Sequence, residues 1–426
     1  MIKHYLMLIL FFIVNQTLAQ VVVSGKAIDS KTKEPLNGMN VYVNNTSIGT
    51  VTDSLGKFRL VVPGNGKIEL VISHLVYEKK LIVVLPEKSE NMLIEMNFQH
   101  NMLNQVVIKG KKPSKLSLAN WTELFAVNLI GKYPGISARC RITNPEVLFF
   151  DYNKLSKQLQ VFARRPLLIE NTALGYLIRV ELDEFIYSFE TEEVVFQYSL
   201  FFENLTFPKS RMQQVEKTRK LLYAGSSMHF MRALYSNTLD DQGFGIYKFT
   251  SVQNLERQRV QKIIRERIEY NYANHNRPKV ALQDLFTSKD TINYYRMVML
   301  QQNYVHFDTV RLARPSVIKP NRGSIFVNFY TSDTLMVRYR GEDPTIAKKS
   351  AVVNELLNKT KQLKEPKKNK KFPLDWNSYM LFFNKEGINI QSNGYYRELG
   401  LFIYGDMGDR RLAGILPFDY NPNEEL

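Results

Sequence analysis

The sequence predicts a mainly β protein with some helices, in which a small N-terminal antiparallel β-sandwich precedes a larger, β-rich α+β region. Three observations predict it. Between Val21 and Phe98, short runs of alternating apolar residues are separated by turn signals and show no helical periodicity. Past residue 117 such runs return, with Leu177, Arg179, Glu181 and Asp183 alternating against Ile178, Val180 and Leu182, the pattern of a half-buried antiparallel sheet. Between these regions Trp121, Leu124, Phe125 and Leu129 recur at helical spacing before Pro134 and Gly135 stop them.

Residues 1–19 read as a signal peptide, with Lys3, an apolar run from Leu6 to Val14, and small residues before a cleavage point after Ala19. That run is shorter than the roughly 20 residues needed to cross a bilayer. No later run is long enough either, so no transmembrane segment is expected in the mature chain. Residues 20–98 form the predicted sandwich. Val21, Val23, Gly25 and Ala27 share a face, the polar "KTKEPLNG" connects to Val41 and Val43, and "GTVTDSLGKFRLVVP" reads as a hairpin. Asp53 can bond a backbone N–H two residues on, Gly56 can take positive φ, and Phe58, Leu60 and Val62 then face inward. Shared faces are next expected for Ile68, Leu70 and Ile72, for Leu81, Val83 and Leu85, and for Met92, Ile94 and Met96. Residues 99–116 read as a linker strand, closed by Pro113. In 117–426, helices are expected over Arg211–Tyr223, over Met228–Tyr235 behind a Ser226 or Ser227 cap, and over the charged stretch Ser251–Ala273; Ile292–Pro417 reads mostly as strands.

Taken in order, Gly25, Pro35 with Leu36, the Gly49–Thr50 pair, and Thr52-Asp53-x-x-Gly56-x-Phe58 resemble the carboxypeptidase-regulatory-like domain. That domain is a transthyretin-like β-sandwich common in exported Bacteroidetes proteins. Val76–Tyr77 stands where the family usually has Gly-Tyr. The resemblance implies an accessory module without peptidase chemistry, because in metallocarboxypeptidases the zinc belongs to a different domain. "LNQVVIKGKK", Leu103 to Lys112, resembles the lead into the plug of TonB-dependent outer-membrane receptors, yet too few alternating segments follow for a large barrel. The remainder, including "YAGSSMHFMRALYSNTLDDQGFGIYKF" and "NGYYRELGLFIYGDMGDRRLAGILPFDYNP", resembles an uncharacterised region found behind such sandwiches in exported Bacteroidetes proteins, and it implies no activity.

Catalytic signals are sparse. The histidines past the signal, His74, His100, His229, His275 and His306, show no metal-ligand spacing, and no phosphate loop or dinucleotide fingerprint appears, so neither metal nor cofactor is expected. No G-x-S-x-G elbow occurs. The nearest hydrolase candidates are Ser226 and Ser227 ahead of His229, with Asp240 and Asp241 beyond; a helix cap is the favoured reading. Asp406 and Asp409 beside Arg410 and Arg411 read as a charged hairpin turn. Cys140, the single cysteine, permits no intramolecular disulfide and is expected to be buried. The formal charge of +16 reads, for an exported chain, as solubility or attraction to anionic envelope polymers and lipids rather than to nucleic acid. The densest basic run, Lys348 to Lys371, reads as a solvated helix and loop.

Together these features predict a non-catalytic exported protein of the cell envelope, in the periplasm or on the periplasmic face of the outer membrane. Its partner would be an outer-membrane or secreted protein or an envelope glycan. The alternatives are a serine-type hydrolase in the C-terminal region and a degenerate TonB-dependent receptor fragment.

Overall fold

The computed structural model describes residues 20–99, 115–275, 282–301, 304–319, 325–340 and 377–424. The signal segment, the Leu103–Lys112 strand with Pro113, and the Lys348–Lys371 run lie outside these residues.

Seven strands build the sandwich: β1 Gln20–Asp29, β2 Asn40–Val43, β3 Gly49–Val51, β4 Lys57–Pro63, β5 Ile68–His74, β6 Tyr77–Val84 and β7 Met92–Met96. One sheet runs β4-β1-β7 and the other β3-β2-β5-β6. Pairing is antiparallel except that β7 lies parallel to β1, a departure from the fully antiparallel sandwich expected. Alternation buries Val23, Ala27, Phe58, Leu60, Val62, Leu70, Ile72, Ile94 and Met96 between the sheets. The "TDSLGKF" reversal works as its residues predict. Asp53 Oδ1 accepts from the Leu55 and Lys57 N–H groups at 2.9 and 2.8 Å, and Gly56 turns at φ 73°. A Cβ on Gly56 would lie 2.4 Å from the Ala27 carbonyl oxygen. Gly56→Ala therefore combines left-handed strain with a backbone clash and should cost about 2 kcal/mol or more, read from chemical denaturation; a loss below about 0.5 kcal/mol would contradict this account.

β6 corrects one expected face. Val84 and Ile82 pack inward, while Leu81 and Leu85 are 38% exposed and Val83 is half-buried. Parity alone could not choose between two apolar faces on one strand; β6 pairs with β5 so that the Ile82–Val84 row meets the sandwich core.

The second unit opens with helix α1, Lys115–Ile130, and a sheet of β8 Cys140–Ile142, β9 Leu148–Asn153, β10 Gln158–Ala163, β11 Leu167–Asn171, β12 Tyr176–Ser188 and β13 Val194–Asn204. Ile178 and Val180 are buried as the alternation predicts, and a bulge between Leu182 and Glu184 restores inward facing at Phe185. α1 lays Phe125 and Leu129 onto this sheet. Cys140 is half-buried rather than fully buried, because β8 is an edge strand; burial nonetheless pushes its thiol up to about 12.

Helices α2 Lys209–Tyr223 and α3 Ser227–Ser236 follow, and then β14 Phe244–Gln253. The charged helix α4, Leu255–His275, starts later than expected because β14 continues to Gln253. Short α5, Leu282–Leu285, leads to α6, Lys289–Leu300, which replaces the strand expected from Ile292. Ser288 caps α6 by accepting from Thr291 N, and Val298 anchors it in an apolar contact. Strands β15 Tyr304–Leu312, β16 Ile318–Lys319, β17 Val327–Phe329, β18 Leu335–Tyr339, β19 Asn377–Phe382, β20 Ile388–Ile390 and β21 Leu401–Gly405 complete the third unit. They form a five-stranded sheet, β15-β14-β18-β19-β21, and a small one, β16-β17-β20. Phe230, Leu234, Phe244, Phe329, Val337 and Met380 form its core.

The "GDMGDRR" segment is not a hairpin turn. It folds as two short helices, α7 Asp406–Asp409 and α8 Arg411–Gly414. Met407 is buried in the third unit's core and Leu412 in the second unit's core, and Arg410 lies between them at 2% exposure. A surface turn could not bury that guanidinium; the junction does so by pairing it with Asp406 at 2.6 Å and with carbonyls at the end of α2.

Candidate functional site

Local sequence first decides how the sandwich meets the rest. The turn after β2, Asn44 to Ser47, is polar, and its backbone continues the sheet of the second unit. Asn45 N donates to Leu200 O at 2.8 Å and Phe202 N donates to Thr46 O at 3.0 Å, so the exposed edge of β13 is covered. Asn44, 7% exposed, accepts from Leu200 N at 3.0 Å and donates to Glu69 Oε2 at 3.0 Å. Ser47 donates from both N and Oγ to the Asp419 carboxylate. Gly49 is small for a reason visible only here: the Phe201 ring lies 2.7 Å from where its Cβ would be.

Where the three units meet they line an open cavity of about 830 Å³. The sandwich contributes Lys67, Glu69, Leu81 and Val83, which explains why the outward row of β6 is apolar. The second unit contributes Asp183 and Tyr198, the start of α3 contributes Ser226, Ser227 and Met228, and the third unit contributes Asn389 and Gln391 to Glu398 in part. Volume and mixed lining fall within the ordinary range for small-ligand sites.

The carboxylates of this wall already have donors. Glu69, 6% exposed, takes Asn44 and, at 2.8 Å, Arg397 Nε; Tyr395 also bonds to it, and burial with the Glu69 charge pushes the phenol strongly up. Asp183 pairs with Lys79 at 2.5 Å. Glu398 accepts from Asn389 N and Nδ2 at 3.1 and 2.7 Å. Just outside the cavity, burial raises the Glu181 carboxyl, opposed by a hydrogen bond from Ser73 of the sandwich. By contrast, Tyr198 and Tyr396 line the cavity with no hydrogen bond to either hydroxyl among the described residues. Burial pushes both up to about 12, so they remain donors across the physiological range.

The residues singled out in sequence fall in two groups. Gly25, Pro35, Gly49, Thr50, Asp53, Gly56 and Phe58 shape the sandwich, and none lines the cavity. Gly25 lets Phe58 and the Met92 carbonyl approach; Thr50 pairs with Val41 in the β2–β3 ladder; Pro35 bridges Ile28. Ser226 and Ser227 do line the cavity, but Ser226 Oγ accepts from the His229 backbone N–H at 3.1 Å, as a cap. His229 is buried, stacked on Tyr223. Its Nδ1 accepts from Gly225 N at 3.1 Å, so Nε2 carries the proton toward Gln242 Oε1 at 2.9 Å. The pair meets through backbone rather than as nucleophile and base. Among the described residues no three His, Cys, Asp or Glu side chains are grouped to hold a metal ion.

Sequence reasoning missed Asn44, Lys67, Glu69, Tyr198, Tyr395, Tyr396 and Arg397. One signal was present: Glu69 interrupts the apolar run "IELVIS", a charge on a strand that is otherwise apolar on both faces.

Among the described residues, no helix is long and apolar enough to cross a membrane. No curated protein matches the chain. A 9R-lipoxygenase from Cyanothece PCC8801 is similar over 51% of this chain and 48% of its own, at 9% identity and a TM-score of 0.15, a likeness too weak to carry any argument. Residues 23–108 match the CarboxypepD_reg-like domain, a span that takes in the sandwich from Val23 onward.

Proposed function

We propose that the chain is an exported, non-catalytic binding protein of the cell envelope, and that its ligand is a glycan held in the cavity where the sandwich closes on the two following units. The observation that carries this reading is the shared wall. The sandwich is fastened by Asn44, Ser47 and Glu69 to both other units, and its β6 face completes a cavity of about 830 Å³. The lining combines amide side chains (Asn45, Gln197, Gln391) with aromatic ones (Phe326, Tyr395, Phe418), which suits hydroxyl-rich, partly apolar sugar rings. The packing of the second and third units about their own apolar cores supports a folded binding body over a receptor fragment. Ser226, engaged as the α3 cap, and the doubly engaged His229 ring support binding over serine hydrolysis.

Calorimetric titration of the mature chain with a panel of neutral and acidic oligosaccharides tests this, alongside Leu81→Trp, which fills the cavity from a partly exposed position. At least one glycan should bind the native protein, and Leu81→Trp should weaken it about tenfold or more without changing the unfolding transition. Binding that survives the block, or no binding by any glycan, overturns the proposal.

A further inference from the structure

This inference rests on the glycan reading above and names the class of sugar. The cavity's carboxylates are already answered: Glu69 by Asn44 and Arg397, Asp183 by Lys79, and Glu398 by Asn389. Its cations are not answered equally. Arg397 and Arg410 have carboxylate partners, whereas the Lys67 ammonium lies 5.1 Å over the Phe326 ring with no carboxylate partner among the described residues. Lys67 Nζ is therefore the cavity cation left to a ligand, and the hydroxyls of Tyr198 and Tyr396, with the amides of Asn45 and Gln197, are the neutral hydrogen-bonding groups left beside it. The surroundings have the same sign. The Arg411 guanidinium acts electrostatically on Tyr198, and the ten-residue helix α3 presents its first turn, Ser227 and Met228, to the cavity, with the partial positive charge of a helix start. A net charge of +16 draws anions toward the whole molecule.

We infer that the cavity selects an acidic oligosaccharide, with Lys67 supplying the counter-charge to a sugar carboxylate and Tyr198 and Tyr396 donating to oxygen atoms of the same ligand. A neutral sugar would give the Lys67 ammonium no counter-charge, whereas a uronate carboxylate supplies one. β6 presents side chains of its face, Leu81 and Val83, to the cavity, which favours a stacked ring over an added peptide strand.

The test uses the mature chain and matched ligands: short oligogalacturonides, oligoglucuronides and oligomannuronides, their methyl esters, and tetraglutamate. At low salt, one acid series should bind at least tenfold more tightly than its ester. That gap should narrow with added salt and close in Lys67→Met, whereas Tyr198→Phe with Tyr396→Phe should weaken acid and ester alike by about tenfold. Lys67 is exposed and Phe keeps the tyrosine packing, so these variants are expected to fold, and unchanged thermal unfolding would verify it. Equal binding of acids and esters overturns the acidic inference and leaves the glycan reading intact. Tetraglutamate binding as well as the best uronide overturns it in favour of an acidic peptide. Binding by none of the sugars overturns both readings.

Discussion

Replacing Asn44 with alanine will loosen the sandwich from the rest of the protein and cost about 3 kcal/mol. Asn44 is 7% exposed, and its side chain serves two units at once, donating to the buried Glu69 carboxylate and accepting from the Leu200 amide. Alanine removes a hydrogen bond to a charged group, worth about 1.5–3 kcal/mol, and leaves the Leu200 N–H without its acceptor, a further cost of about 1–3 kcal/mol, partly relieved by water. The effect should be local. Hydrogen exchange at the Leu200 and Phe202 amides should accelerate, while amides of the β4-β1-β7 sheet, held by the sandwich's own core, stay protected. Asn44→Asp should be worse, since it sets a second carboxylate against Glu69. Unchanged exchange at Leu200, with stability within about 1 kcal/mol of native, would mean that the backbone bonds of Asn45 and Thr46 suffice for docking.

Asp406→Asn will destabilise the protein by about 3 kcal/mol or more, the largest effect expected from a change this small. Arg410 is 2% exposed, and Asp406 is the carboxylate it pairs with; its other bonds go to the Leu222 and Ala224 carbonyls at the end of α2. Removing one member of a buried pair strands the other charge, and such losses run at about 3–5 kcal/mol, whereas replacing both members by apolar groups is often neutral. The pair Asp406→Leu with Arg410→Met should therefore recover much of the loss, and a double-mutant cycle in urea would measure the coupling. Additive effects, with no coupling between the two positions, would show that Arg410 is held by the α2 carbonyls rather than by its charge partner. Because the Asp406–Arg410 pair sits where α7 and α8 join the second and third cores, the single variant should also uncouple their unfolding into separate steps.

Legibility in the sequence followed the range of the interaction. The Asp53–Gly56 turn, the Phe58–Leu60–Val62 face and the Ser226 cap involve neighbours a few residues apart, and all are found where their residue types place them. Failures began where a distant partner made the choice. β6 offered two apolar rows, and pairing with β5 settled which one met the sandwich core. "GDMGDRR" carried the composition of a surface turn and became two short helices around a buried Arg410 because α2 supplied carbonyls for its guanidinium. Ser288 started a helix where the apolar pattern read as strand.

The sequence by itself determined the sandwich, its diagnostic turn and its likeness to the CarboxypepD_reg-like domain, because alternation and turn chemistry act within a few residues. Tertiary structure alone decided the cavity. Lys67, Tyr198 and Tyr396 lie far apart in the chain, and each has an unremarkable local context. They line one cavity because Asn44 and Glu69 fasten the sandwich across β13 and the Tyr395–Arg397 loop, and hydrogen bonds between segments that distant leave no periodic trace in either segment.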